Sequence, residues 1–464
     1  MRNARHRGGR TALAAVVVAV TASAFPAGPR AGNDDGYFLD NDAALTGGAV
    51  VATTSGGGAI WYNPAGLGGN AHAKIDISAS AFSLAIRHMP DLLVTQLETE
   101  RLSSDMDDLE LRSVPVALTY VRDLSKSASI GLGVFMPEND ACSVTSTLST
   151  QTFFTEFPDV PADFQQRVEI AWKRSAYAVG PGLGWEVLPG LRLGASLLVT
   201  LRFDDRHYLS LVEAHTAGTY EVQRQSLRQN DSGTTMVGAR VAVGVQWQPH
   251  ERFSLGLMVR SPEVSFYTWG RRSRLTDITP GLIEGAPGGL RHEEVSLDGG
   301  GFRQVMPWRF DLGVAYRFHE GWIAIEADIR TPLDDDALEL SRDLTWNLRA
   351  GTTFRVSDAM SLGFGVFTDQ VAGRTLEDIG SWAVNFYGIA LGGTIETPMR
   401  LREGAERDVL VFSTTVAFRY ALGVGQSVGN FLEVHASDNV GFQVTSQDVT
   451  VHEITLHIGS ALVF

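Results

Sequence analysis

The side chains able to do chemistry are scattered along this sequence rather than gathered. Gly425-Gln426-Ser427-Val428-Gly429 has the spacing of a nucleophile elbow, in which a serine sits on a strained turn between a buried strand and a helix. The flanks do not supply that turn. An alternating run precedes the motif, residues 431 to 446 show no helical periodicity, and a chance match is expected in a chain with 49 glycines. Gly180-Pro181-Gly182-Leu183-Gly184 lacks the following helix that a dinucleotide loop needs. Asp334-Asp335-Asp336 offers hard oxygen ligands to a divalent cation, but it follows Pro332 and reads as a solvated acidic loop. His452 and His457 lie an odd number of residues apart, on opposite faces of a strand, so they cannot share a metal. No Cys/His cluster has zinc spacing. The single cysteine, Cys142, stands beside Glu138 and Asp140 and reads as an unpaired loop residue. These patterns predict no catalytic residue, no metal site and no cofactor.

Arginine carries the remaining chemistry. Arg192, Arg240, Arg309, Arg317 and Arg349 recur on one phase of alternating segments, with Arg202, Arg260, Arg355 and Arg419 in the same phase and Asp311, Glu326 and Asp328 among them. Side chains of one phase share one face of a strand. The opposite phase is apolar. Leu191, Leu193, Ala195, Leu197, Val199, Leu201 and Phe203 form one such face, and Val237 to Trp247, Trp308 to Phe318 and Leu344 to Val356 repeat it, with Thr352 as an exception. A wall whose apolar phase faces lipid would turn these arginines into a lumen. Buried there, they need carboxylate partners or the carboxylate of a ligand.

The elements that must position them are therefore strands of about ten residues in a membrane barrel. Short links fall at 188–190, 248–252, 319–321 and 357–359. Long polar segments, expected as loops, fall at 89–112, 137–166, 204–233 and 262–302. This lopsidedness is the outer-membrane arrangement, with short turns inside and long loops outside. Tyr120, Trp172, Trp185, Trp247, Phe253, Trp308, Tyr316, Phe318 and Trp346 stand at strand ends, where aromatic girdles form. Ile454, Leu456, Ile458, Leu462 and the terminal Phe464 share a phase, Ser460 being the exception. A last strand ending in Phe is similar to the signal that bacterial barrel-assembly machinery reads. The spacing predicts an all-β, antiparallel transmembrane barrel of about 14 strands.

The N-terminus is a different object. Arg2, Arg5, Arg7 and Arg10, an apolar run from Thr11 to Val20, and Ala22-Ser23-Ala24 have the order of a secretory signal peptide, expected over 1–24. The run is too short for a membrane helix. The chain carries a formal charge of −15, and loss of the leader's arginines makes it more acidic, which excludes a nucleic-acid partner. Residues 25–72 lack alternation and are expected as a compact plug, with the barrel over 73–464. Asp34, Asp35, Asp40 and Asp42 open this segment, and pairing of some of them with lumen arginines is expected.

Within it, Leu45-Thr46-Gly47-Gly48-Ala49-Val50-Val51-Ala52 and Tyr62-Asn63-Pro64-Ala65-Gly66-Leu67 resemble the N-terminal hatch of FadL/TodX-type long-chain fatty-acid and hydrocarbon transporters. Gly131-Leu132-Gly133-Val134-Phe135-Met136-Pro137 is similar to that family's third-strand ending. The resemblance implies a plug inside a 14-stranded barrel, with Asn63, Pro64, Ala65 and Gly66 as the plug motif. The residues themselves read as a turn or helix-entry device rather than a ligand contact. It also implies passive uptake of hydrophobic or amphipathic small molecules through the outer membrane, with membrane lipid around the wall and exit through the barrel or sideways. The alternatives are a general diffusion porin, which a plug of this length would obstruct, a structural or adhesive surface barrel, and a barrel enzyme, for which no Ser/His or Asp/His set is found.

Overall fold

The computed structural model describes residues 33, 36–68, 74–96, 101–154, 157–216, 223–280, 288–335, 340–373, 382–400, 409–434 and 440–463. The leader and Phe464 lie outside them. The first six strands are β1 (Lys74–Gln96), β2 (Arg101–Asp123), β3 (Ala128–Phe154), β4 (Phe157–Leu188), β5 (Leu191–Thr216) and β6 (Gln223–His250). Then come β7 (Phe253–Arg260), β8 (Glu263–Ile278), β9 (Gly289–Ser296), β10 (Gly299–Met306), β11 (Arg309–Phe318) and β12 (Gly321–Arg330). A small hairpin, β13 (Leu333–Asp335) and β14 (Leu340–Arg342), precedes β15 (Thr345–Ser357), β16 (Met360–Asp369), β17 (Trp382–Arg400), β18 (Val409–Val434) and β19 (Val440–Val463).

Strand pairing closes the wall on itself. β6 pairs with both β7 and β8, so these two form one stave interrupted at Ser261-Pro262. β10 and β11 likewise form one stave, interrupted at Pro307-Trp308. Proline cannot donate to a ladder and is found where pairing breaks. Among the described residues the ring runs β1, β2, β3, β4, β5, β6, β7/β8, β10/β11, β12, β15, β16, β17, β18, β19 and back to β1. That is fourteen staves, the number expected. β9 and β13/β14 hang from the rim.

The apolar phase faces outward: Leu197 is 48% exposed, Val243 48% and Leu312 56%. A contiguous apolar exterior of this extent needs lipid against it. Trp185, Trp247 and Phe253 lie at the short-turn end of the belt and Trp308 and Trp346 at the other. Trp172 departs from the girdle expectation. It packs inside, donates Nε1–H to Asp140 at 2.7 Å and stacks near Arg87.

The expected loops at 89–112, 137–166, 204–233 and 262–302 are corrected in the same way. Most of their residues extend the strands as tall hairpins: β3 pairs with β4 through Thr152↔Ala162, and β5 with β6 through His215↔Gln223. Polar composition marks where the wall leaves lipid, not where the ladder ends, because backbone pairing does not depend on side-chain polarity. Cys142 is corrected with them. It sits in β3, 3% exposed, within the interior apolar cluster.

Residues 36–68 fill the lumen. Asp40 caps helix α1 (Asn41–Thr46), and Gly47 ends it at φ 64°. Such a left-handed C-terminal residue is glycine's place. Gly56–Gly58 forms a 3₁₀ turn into α2 (Ala59–Tyr62), and Asn63 caps the 3₁₀ turn Pro64–Leu67. The plug seats against a belt of wall glycines. A Cβ on Gly244 would lie 1.9 Å from Asn63 Oδ1, and one on Gly194 2.1 Å from the Pro64 carbonyl carbon. One on Gly365 would lie 2.1 Å from the Thr46 carbonyl carbon, and one on Gly459 1.8 Å from Asn41 Oδ1. The glycines spread through the strands give the plug backbone its room.

Candidate functional site

Register places the lumen charges in layers. Arg309 on β11 stands directly opposite Arg260 on β7 and Arg330 on β12, giving a row of three guanidinium groups across adjacent staves. Two positions further along the same face, Asp311 stands opposite Asp328. Two further, Gly313 is opposite Glu326, which is opposite Arg349. The period-two rule that brings like charges together in one layer thus places the opposite charge in the next. Arg309 Nε lies 2.9 Å from Asp311, Arg309 Nη2 3.3 Å from Asp328, and Arg330 Nε 3.3 Å from Asp328. Arg349 bridges Glu326 at 2.8 Å and also meets Asp328. Removing one member of such a buried set leaves an uncompensated charge.

The deepest layer docks the plug. Glu326 Oε2 accepts the backbone N–H groups of Val50 and Val51 at 2.9 and 2.8 Å. Asp76 accepts Gly57 N–H at 3.2 Å, and Arg260 donates to the Trp61 carbonyl. Asn63 is fully buried and uses all its side-chain capacity within the fold. Its Oδ1 accepts Ala65 N–H, while its Nδ2 donates to the carbonyls of Val51 at 2.8 Å and of Val245 on the wall at 3.1 Å. Pro64, Ala65 and Gly66 are buried beside it. The asparagine of the motif ties the plug to the wall.

The expected pairing of plug acids with lumen arginines is corrected for Asp40 and Asp42. Asp34 and Asp35 lie outside the described residues. Asp40 takes the N–H of Asp42, and the cation that acts on both is Lys74. Burial, with Asp42 and Asp76 alongside, pushes the Asp40 carboxyl up to about 8. The charge that holds the plug is on the wall, aimed at plug backbone.

Above the plug is a chamber of about 120 Å³. Tyr37, Leu39, Trp61 and Tyr62 of the plug form its floor. Its walls carry eight arginines against four carboxylates, so its lining is net cationic. Trp61 lies between two of them, with Arg240 4.3 Å and Arg260 4.6 Å from its ring centroid, a cation–π arrangement. Beside the chamber the interior is packed with apolar side chains. Leu92, Leu93, Met106, Val144, Leu148, Val168 and Ile170 form a buried cluster continuous with the plug.

Of the sequence candidates, Arg240 and Arg309 line this chamber and Arg349 lies in the layer beneath. Arg192 and Arg317 do not reach it. Arg192 stands opposite Glu186 and Gln246 beside the short turn at Gly190, and Arg317 is exposed beside the turn after Phe318. They share the phase but not the depth. Arg87, Arg112 and Asp140 were missed as site residues because their segments read as loops or loop borders. The alternation Asp108-Leu109-Glu110-Leu111-Arg112 was the available signal. His457 faces inward to Asn41 Oδ1 at 2.9 Å and His452 faces Tyr420 at 2.9 Å, on opposite sides as expected. Gly425–Gly429 lies within β18, without the turn and helix of an elbow.

The chamber also meets a seam in the wall. Among the described residues β2 and β3 are paired over seven positions, Ala117–Asp123 against Ser129–Phe135, although both strands run on well beyond. Ion pairs replace backbone bonds there. Arg87 on β1 reaches Asp140 on β3 at 3.0 Å, and Arg112 on β2 reaches Asp140 at 2.6 Å and the Asn139 carbonyl at 3.3 Å.

No family model and no curated protein sequence matches this chain. Solved structures do. A Pseudomonas aeruginosa FadL homologue is similar at a TM-score of 0.59 and 12% identity, over 93% of this chain and 99% of its own. The CymD monoaromatic hydrocarbon channel is similar at 0.51 and 12%, over 92% of this chain and 97% of its own. The Pseudomonas putida toluene transporter TodX is similar at 0.51 and 11%, over 93% of this chain and 99% of its own. The fold of this chain is that of the FadL- and TodX-type barrels.

Proposed function

We propose that this chain is an outer-membrane channel for passive uptake of amphipathic small molecules, of which long-chain carboxylates fit best. A leader over 1–24 would route it to that membrane, and the final strand with Phe464 would present it to the assembly machinery. The observation that carries the reading is the chamber: an aromatic floor and a row of arginines beside a buried apolar cluster, inside a barrel stoppered by its own N-terminal segment. Guanidinium forks suit a carboxylate, and the apolar cluster suits an alkyl tail. The relatives of like fold include channels for neutral aromatic hydrocarbons; such a ligand would use the aromatic floor but not the net cationic lining. A stoppered lumen opposes a general porin.

From the chamber the β2–β3 seam is the short way out. A ligand carboxylate that takes Arg87 or Arg112 from Asp140 loosens the ion pairs standing in for wall hydrogen bonds, and the ligand leaves sideways into the membrane. The test is binding of radiolabelled oleate and of toluene to purified protein. Tight oleate binding that weakens tenfold or more in Arg260→Gln/Arg309→Gln supports the reading. Toluene binding with no oleate binding refutes the anionic class.

A further inference from the structure

The outer end of β1 behaves unlike any stave. Up to His88 it lies in the wall between β19 and β2. At Pro90-Asp91 it bends. Asp91 has φ 51°, the only non-glycine residue with positive φ among those described. Asp tolerates that left-handed conformation better than most residues, and its N–H is held by Asp105 at 2.8 Å. Beyond the bend, Leu93–Gln96 pair in parallel with Asn430–Glu433 of β18. They take the edge that β17 leaves free, because β17 stops opposite Ser427. Gly429 permits the approach, with the carbonyls of Leu92 and Asp91 3.0 and 3.2 Å from where a Cβ would stand.

Burial shows where this tip lies. Wall residues alternate between exposed and buried, yet Leu92, Leu93, Val94 and Thr95 are all fully buried. Both faces are covered, so the segment crosses the mouth instead of continuing the rim. Its far contact is on β4, where Thr95 Oγ1 donates to Gln166 Oε1 at 2.9 Å. The returning arm on β2 keeps Leu102 and Met106 inward and Arg101, Ser103 and Asp105 outward, a structure with an inside and an outside. Leu92 and Leu93 belong to the buried apolar cluster, whose contacts an alkyl chain could take over.

We propose that the β1–β2 hairpin is a lid on the outer mouth, hinged at Pro90-Asp91, and that it must swing out before a ligand enters. Its fastenings include a four-residue ladder, a hydroxyl–amide bond across the mouth and apolar contacts that an incoming alkyl chain can replace. Gln166 Nε2 and the side-chain amide of Asn430 have no protein partner in the closed arrangement, and buried polar groups of this kind favour an open, hydrated state. The role of the lid rests on the uptake reading, but its motion does not.

Thr95→Cys/Gln166→Cys in a Cys142→Ser background locks the hairpin on oxidation. Leu39→Cys on the chamber floor, in the same background, reports access by its rate of modification with a charged sulfonate thiol reagent added from outside. Replacing residues 92–102 by three glycines should speed that modification tenfold or more. Oxidation of the locked pair should lower uptake of a fluorescent dodecanoate at least tenfold, with recovery within twofold on reduction. Failure of Thr95→Cys and Gln166→Cys to oxidise although both react with reagent overturns the closed lid. Equal Leu39→Cys rates with and without the hairpin overturn its gating. Faster modification in the shortened chain, with no dodecanoate uptake by the parent protein, leaves the lid standing and removes the uptake reading.

Discussion

Glu326→Ala should release the plug while leaving the wall intact. Glu326 is 2% exposed and gives one oxygen to the N–H groups of Val50 and Val51 and the other to Arg349. Each hydrogen bond to a charged group is worth about 1.5–3 kcal/mol, so losing the two plug bonds costs at least about 3 kcal/mol. Arg349 keeps Asp328, which limits the further penalty on the wall side. At about 1.4 kcal/mol per decade, the displaced state should rise by about two powers of ten. The assay is maleimide labelling of Ala59→Cys, fully buried in the plug, in purified Cys142→Ser protein. Labelling should accelerate about a hundredfold in Glu326→Ala and much less in Glu326→Gln, whose amide oxygen still accepts the plug N–H groups. Heat-modifiable mobility on gels should stay that of a folded barrel. A Glu326→Ala rate within twofold of the parent would refute carboxylate docking and assign the seating to packing.

Three further outcomes follow from other layers of the structure. Leu197→Arg puts a charge on the lipid face at a cost of roughly 2–4 kcal/mol and should abolish folded barrel in membranes, whereas Leu197→Phe should assemble normally. Gly244→Val drives a side chain into Asn63 and should raise planar-bilayer conductance by unseating the plug, while Gly300→Val, with nothing within 4 Å of its Cβ position, should stay silent. Asp40, held up to about 8 by burial, binds its proton more tightly folded than unfolded. The stability this confers is complete below its ordinary value near 3.9 and is lost as pH rises through about 8. Conductance should therefore climb between pH 6.5 and 9, and Asp40→Asn, which keeps the helix cap, should flatten the climb.

The alternation of Leu191 to Phe203 and its repeats, together with the lopsided links, the aromatic strand ends and the phase of the last strand, was enough to indicate a barrel, its lipid face and about fourteen staves. Side-chain direction in a strand has period two whatever the partner, and only a closed ring satisfies every backbone group in lipid. The departure of residues 32 to 70 from that period marked the plug, and Asn63-Pro64 marked its turn. Depth was not legible. Arg192, Arg240, Arg309, Arg317 and Arg349 share a phase, but only register and tilt decide that Arg240 and Arg309 meet at the chamber while Arg192 and Arg317 end beside the inner turns. Strand length was not legible either. Polar hairpins such as Asp140 to Gln166 have the composition of loops, and their pairing is a backbone property that side chains do not announce. The seam between β2 and β3, the plug carbonyls against the wall glycines, and the β1 tip laid on β18 all join residues far apart in the chain. Such contacts are decided by how the ring closes, because a strand's own sequence sets which way its side chains point and leaves open which neighbour it meets.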